Sequence, residues 1–281
     1  YTDTLFSSTF KDIYTVLKGV VEGGADIDIS VPMIPVSNSN HNLFLLKGSV
    51  NLSLYENLLV SAYGQAASGQ QNGYFVTSAI DRFLRARGLS DEIDIFVIDT
   101  SPSLSLLNQV IFLGGDYFVV PMMPDAFSVQ GIENLGTVYE KWKQNWKVTG
   151  KALSGNTEGK FVLSGDGLFV GYIVNTYNVY GKQPIKDHRH WIEEIPKKVK
   201  FFLSEMHGRN GLVEKSWKDP LAVIQDYGRI PAKCQELGVA IFDLDPALIE
   251  DRQEGTKQNI EKSKEEFANL SKELLQVLAA Y

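Results

Sequence analysis

Three short runs, IFVI at 95–98, YFVV at 117–120 and FVGYIV at 169–174, are apolar on consecutive residues rather than on alternate ones. A strand with one wet face alternates. A run that is apolar at both parities belongs to a strand covered on both sides, as in parallel sheets. Helix-length stretches lie between the runs. Val76, Ala79, Ile80, Phe83 and Leu84 share one helical face, and Gly88 supplies a stop. Residues 103–114, 129–146 and 191–206 read as further helices, the last interrupted by Pro196. Short strands alternating with longer helices predict an α/β fold, a mainly parallel sheet with helices on both faces.

The other segments fill in around this core. Residues 6–17 read as a short helix, 18–30 as a Gly-rich loop and 42–46 as a buried strand. Residues 61–73 are rich in Gly, Ala, Ser and Gln and read as a flexible loop, and 149–167 as an exposed insertion. Leu212 and Val213 suggest a short strand. Ile260, Phe267, Leu270, Leu274, Val277 and Leu278 form one stripe of an amphipathic terminal helix at about 256–280, which predicts docking on the parent domain. The expectation is a single domain over 1–281.

Bulk composition removes several function classes. The net charge of −7 gives no general attraction to nucleic acid or to anionic membrane, so any such contact needs a local basic patch. Cys234 is the one cysteine, so there is no internal disulfide or thiolate cluster, and a reducing cytoplasm is the expected location. No apolar run reaches the roughly 18–20 residues of a membrane span, and no signal-peptide pattern opens the sequence. His188 and His190 offer two metal donors without a third in view. The motifs G-x-S-x-G, G-x-G-x-x-G and H-E-x-x-H are missing, which weakens a small-molecule enzyme on a similar sheet.

The first apolar run ends on Asp99, followed by the turn Thr100-Ser101-Pro102-Ser103. In open parallel sheets ligands bind beyond the carboxyl ends of the strands, and Asp99 falls at such an end. A carboxylate there either caps the next turn or acts as a hard oxygen ligand, as in a Walker-B strand holding Mg²⁺ beside a nucleotide phosphate. Taken alone, Thr100-Ser101-Pro102 reads as a plain turn and Asn175 as a strand-ending turn residue.

The stretches DIFVIDTSPSLSLLN and DYFVVPMMPDAFSVQGIENL together resemble the ParA/MinD-type partition ATPases, with Asp99, Pro102, Ser103, Leu104, Asp116, Pro121, Gly131 and Leu135 in register. GYIVNTYN and AIFDLDP are similar to later family segments. The resemblance implies ATP and Mg²⁺ as cofactors, Asp99 as the Mg²⁺ ligand, directly or through water, and Thr100, Ser101, Pro102 and Ser103 as a γ-phosphate-sensing switch. It implies Asn175 on the adenine edge. Glu214 and Lys215 stand where the family often has IPRN. Non-specific DNA contact is implied through basic residues near Arg209, Lys215 and Lys218, while a solvated helix face is the bland reading of the other basic region, around Lys182 to His190. A second basic region spans Lys182, Lys186, His188, Arg189 and His190, diluted by Asp187, Glu193 and Glu194. The implied partners are a second copy of the chain and a ParB-like activator protein.

The chain departs from the family at its phosphate loop. No G-x-x-x-x-G-K-[ST] occurs in the 281 residues, and the first residue is Tyr1 rather than Met. The expectation is therefore a P-loop NTPase-like fold whose first β-α-β unit is absent. The full-length product would be an ATP hydrolase in DNA, plasmid or chromosome partition or cargo positioning, and the chain as given would be inactive. The alternative is a non-catalytic scaffold that keeps the fold without the phosphate loop.

Overall fold

The computed structural model describes residues 11–24, 26–36, 42–152, 161–175, 186–204, 218–249 and 254–279. In chain order the elements are α1 (Ile13–Val21), β1 (Ile34–Pro35), β2 (Phe44–Leu45), α2 (Leu52–Ala67), α3 (Gln71–Thr77), α4 (Ala79–Asp91) and α5 (Leu106–Gly114). Then come β3 (Tyr117–Met122), α6 (Ala126–Ala152), β4 (Leu168–Asn175), α7 (Lys186–Val199), β5 (Ala222–Ile224), α8 (Ile230–Leu237) and α9 (Glu254–Leu278). These residues fall into two compact units, one taking Tyr117–Glu140 and everything from Leu168 onward, the other taking residues up to Asp116 plus Lys141–Gly167.

The sheet of the first unit is built from the second and third apolar runs. Strands β3, β4 and β5 lie in that order and are parallel, the α/β arrangement expected from the sequence. Phe118, Val120 and Met122 stand opposite Phe169, Tyr172 and Val174. A register irregularity after Phe118 keeps the three β4 residues on one face although their spacing is uneven. That face is covered by Val129 and Ile132 of α6, by Ile195 and Val199 of α7, and by Leu203. Leu203 lies in the π-helical turn Lys200–Ser204, which follows α7. Pro196 sits inside α7, so the expected interruption comes as that change of helical pitch beyond the proline rather than as a break at it. Pro121 is tolerated in β3 because β3 is an edge strand, where a missing N–H costs no ladder bond on the open side. Gly171 is required: its φ is +151°, and a Cβ there would lie 2.7 Å from Leu221 Cγ. A second cluster joins Tyr227, Ile230, Cys234, Leu244 and Ile260, with Ile224 partly buried against it, and so holds the amphipathic α9 beside β5.

Among the described residues, the regular elements of the other unit are helices apart from the antiparallel two-residue pair β1–β2. The segment expected as a flexible loop, 61–73, is helical through most of its length. Tyr55, Leu59, Ala62 and Ala66 are buried along one side of α2, and Gly73, Tyr74, Val76 and Thr77 are buried in α3. Its small residues serve close helix packing, which composition alone reads as looseness. Gly88 is not a stop. It lies inside α4, which ends at Glu92, a left-handed residue at φ +55°. The first helix occupies Ile13–Val21, so Lys18–Val21 leave the expected loop, and the residues before 11 lie outside the described set.

The expected exposed insertion at 149–167 carries buried groups where it is described. Thr149 is buried and its carbonyl accepts from the Tyr74 hydroxyl at 2.5 Å, while Trp146 Nε1 donates to the buried Leu163 carbonyl at 2.9 Å. The predicted strand at 212–213 lies outside the described residues.

The first apolar run is the main departure from expectation. Residues 93–100 form no strand. Ile95, Val97 and Ile98 are exposed, Val97 by 88%. An apolar run becomes a strand only when another strand satisfies its backbone, and the one sheet described in this unit is the short β1–β2 pair.

Helix α1 opens on a reciprocal cap. Asp12 Oδ1 accepts from the Thr15 N–H at 2.9 Å, and the Asp12 N–H donates to Thr15 Oγ1 at 3.4 Å. Burial works against ionisation of Asp12, but hydrogen bonds from Ser49 and Thr15 and the charge of Lys47 outweigh it and hold the carboxyl below its usual range. Replacing Asp12 by Ala is expected to cost about 1 kcal/mol at neutral pH in urea unfolding. Because the folded-state pKa is depressed, the carboxylate's contribution is present above the ordinary value of 3.8 and fades as pH falls through the folded one. The gap between wild type and variant should therefore narrow only in acid.

Candidate functional site

Asp99 stands in the unpaired segment with its carboxylate exposed and no partner among the described residues. The turn after it is ordered. The Ser103 N–H donates to the Ser101 carbonyl at 2.8 Å, and the two serine hydroxyls lie 3.0 Å apart. Thr100 is half-buried, and Ser101, Pro102 and Ser103 are exposed.

Helix α5 begins directly beyond. Ser105 is its N-cap, accepting from the Asn108 N–H at 3.5 Å. Val110 and Leu113 bury its apolar side, and Gln109 Nε2 donates to the Tyr63 hydroxyl at 2.7 Å. Burial pushes the Tyr63 phenol up against that hydrogen bond. The far end of α5 is tied by Arg85, which bonds Asp81 at 2.9 Å, Asp116 at 3.3 Å and the Gly114 carbonyl at 3.4 Å. Burial pushes Asp81 up, with Arg85 opposing it. Asp116, one of the motif positions, is thus a structural ion-pair residue in this geometry.

In the unit that carries the sheet, the carboxyl ends of the strands are Met122, Asn175 and Ile224. Asn175 closes the central strand, half-buried and opposite Ile224. It is therefore at the strand-end position that the sequence predicts. Arg209, Glu214 and Lys215 lie outside the described residues, as do Lys182 and the side chains of Lys186, His188 and Arg189. Lys218 is described and exposed.

On one side β4 pairs with Ala222–Ile224, and the first residue past that strand end is Gln225. Gln225 is committed to α9. Its N–H donates to Glu266 Oε2 at 3.2 Å, its Nε2 donates to Asn259 Oδ1 at 3.2 Å, and its Oε1 accepts from Lys262 Nζ. The Tyr227 hydroxyl donates to the same Glu266 oxygen at 2.5 Å, and burial, with that bond, pushes its phenol up.

Two features escape a reading of the sequence. Asn108 is buried beneath the Ser101–Ser103 turn and holds it. Lys141, Lys147 and Lys151 are exposed on the second half of α6, where no acid occurs between Lys141 and Ala152. Four lysines in that short stretch are a signal that charge counting in a window would find.

An ATP–Mg²⁺ ligand is only partly matched by this chain. The free carboxylate of Asp99 suits a hard cation and the amide of Asn175 suits a base edge. The phosphate tail needs a nest of backbone N–H groups with a lysine, and the motif that builds one, G-x-x-x-x-G-K-[ST], does not occur in the 281 residues. Among the described residues there is no group of three or more His, Cys, Asp and Glu that could hold a metal, and no helix is long and apolar enough to cross a membrane. A groove of about 430 Å³ lies along α9, lined by Phe242, Leu244, Lys257, Ile260 and Lys264, and takes in none of these site residues.

The family described as "AAA domain" matches residues 7–150. The chain is 38% identical over 52 residues to the "Virulence plasmid ParA family protein pGP5-D" of Chlamydia psittaci, covering 18% of this chain and 20% of that protein. It is 26% identical over 147 residues to the "Uncharacterized protein MJECL24" of Methanocaldococcus jannaschii, covering 52% of this chain and 46% of that one. The chain thus spans between a fifth and a half of the length of these curated relatives. The crystal structure of protein DIP2308 from Corynebacterium diphtheriae shares the fold at a TM-score of 0.61 and 19% identity, over 80% of this chain and 75% of that one. With just over half of its length under the family model, and with the Asp99 turn inside the matched region, the chain belongs to the AAA domain family of ParA/MinD-like partition-type ATPases.

Proposed function

We propose that the chain acts as part of a ParA-like ATPase that positions DNA or another large cargo through an ATP-dependent dimer. The observation that carries this reading is the exposed carboxylate of Asp99, unpartnered among the described residues and ending an apolar run inside the region matched by the family. Asp99 would hold Mg²⁺, directly or through water. Ser101–Ser103 would report the state of the site, and Asn175 would face the adenine edge. Such a site works by positioning and electrostatics. The chain as given has no phosphate loop, so no step on the triphosphate is assigned to its residues. A ParB-like activator and a cytoplasmic setting belong to the same reading. The experiment is a Mg²⁺-dependent ATP-binding and hydrolysis assay on the complete gene product. Slow turnover supports the reading, and no nucleotide binding ends it.

The DNA part of the proposal rests on Lys218, exposed at the start of the described segment 218–249, together with Lys215 and Arg209. Each lysine that neutralises a phosphate releases counterions. Replacing Lys215 and Lys218 by Ala is expected to weaken retention of duplex DNA and to lower the slope of log affinity against log salt by about 2. Fluorescence anisotropy over a salt series measures both. An unchanged slope and affinity would remove these two residues from the interface.

A further inference from the structure

One buried side chain holds the turn after Asp99. Asn108 is 3% exposed and lies in the first turn of α5. Its Nδ2 donates to the Ser101 carbonyl at 2.7 Å and to the Ser103 carbonyl at 2.6 Å, with Ser103 Oγ at 3.3 Å. An amide nitrogen carries two protons, and here both are directed at the same short turn. Pro102 fixes one backbone angle, and the Ser103 N–H closes the turn on the Ser101 carbonyl. On the other side of Thr100 the picture reverses. Residues 94–99 make no backbone hydrogen bond to any described residue. A boundary between bonded and unbonded backbone therefore falls at Ser101, two residues after the carboxylate.

We propose that Asn108 is the positioning residue of the switch: it makes Ser101–Ser103 a rigid extension of α5, so that a ligand at Asp99 orders residues 94–100 about a pivot at Ser101. The proposal rests on the reading of Asp99 as a ligand-side residue. It concerns a donor function, which packing alone does not supply. Two backbone carbonyls converge on one nitrogen, and a group of the same shape that cannot donate would leave them facing a lone pair.

Hydrogen exchange followed residue by residue by NMR tests it on the ligand-free chain. In the wild type the Ser103 amide should exchange at least about tenfold more slowly than those of Val97 and Ile98, relative to unstructured rates. Equal exchange would overturn the proposal without any variant. Asn108→Asp is nearly isosteric but cannot donate once ionised. At pH 7 it should speed Ser103 exchange about tenfold, and protection should return in part as pH falls and the carboxyl regains a proton. A purely packing role predicts wild-type exchange at every pH, and that result would overturn the donor function. Ser103→Ala keeps the carbonyl acceptor and should stay within about twofold of wild type.

Added to the full-length protein, Mg²⁺ and ATP should slow exchange across 94–100 and leave Ser103 unchanged. A response centred on 103–106 would overturn the pivot. A response at neither would remove the nucleotide reading, and the switch role with it, and would leave the clamp measured in the free chain.

Discussion

Asp99→Ala should abolish Mg²⁺-dependent ATP hydrolysis by the full-length protein while leaving its stability unchanged. The two halves of that expectation come from one observation. The Asp99 side chain is exposed and has no hydrogen bond or ion pair among the described residues. Its removal strands no buried group, and surface changes of that kind fall within about 0.5 kcal/mol. A carboxylate that anchors a catalytic cation is a different matter. Losing one electrostatic stabiliser of a transition state costs on the order of 10²–10³ in rate, and losing the ion costs more. Asp99→Asn keeps one neutral oxygen and should fall between the two. Phosphate release measures turnover, and thermal unfolding of the same samples measures stability. A variant that turns over ATP at the wild-type rate would defeat the assignment of Asp99. A variant that loses activity and melting temperature together would show that the carboxylate is structural.

The same residue shows where the sequence is informative and where it stops. The runs at 117–120 and 169–174 read as two-sided strands and are strands, because each finds a parallel neighbour in its own unit. The run at 95–98 carries the same pattern and is left unpaired. Its letters record a preference for burial, and a strand also needs a partner whose identity no local window contains. Strand β5 has three residues, too short for a periodicity to register, and Gln225 at its end was therefore out of reach. Asn108 was out of reach for another reason. A polar residue inside an apolar helix reads as a solvent-facing position, and only the fold puts two carbonyls against it. Gly88 reads as a stop because glycine commonly ends helices, yet the left-handed residue that ends α4 is Glu92.

Glycine also gives the sharpest stability test, because the small residues of 61–73 suggest a loop yet pack two helices. In α2 and α3 those residues let two helices approach until backbone meets backbone. A Cβ on Gly73 would lie 2.2 Å from Ala66 N and 2.5 Å from Ala62 O. Neither is the movable tip of a flexible side chain. The helices must separate, and the bond that registers them, Tyr55 hydroxyl to the Val76 carbonyl at 2.7 Å, goes with them. Gly73→Ala should therefore destabilise this unit by about 3 kcal/mol, at the upper end for overpacking. Gly64 is the control. It lies in α2, between Ala62 and Ala66, but a Cβ there meets nothing within 4 Å. Gly64→Ala should stabilise by about 0.5–1 kcal/mol, through the lower backbone entropy of the unfolded chain. Urea midpoints of the two variants should move in opposite directions from wild type. If 61–73 were a flexible loop, both substitutions would be nearly silent, so a common small shift would refute the helix packing, and a stabilised Gly73→Ala would refute the close approach of α2 and α3.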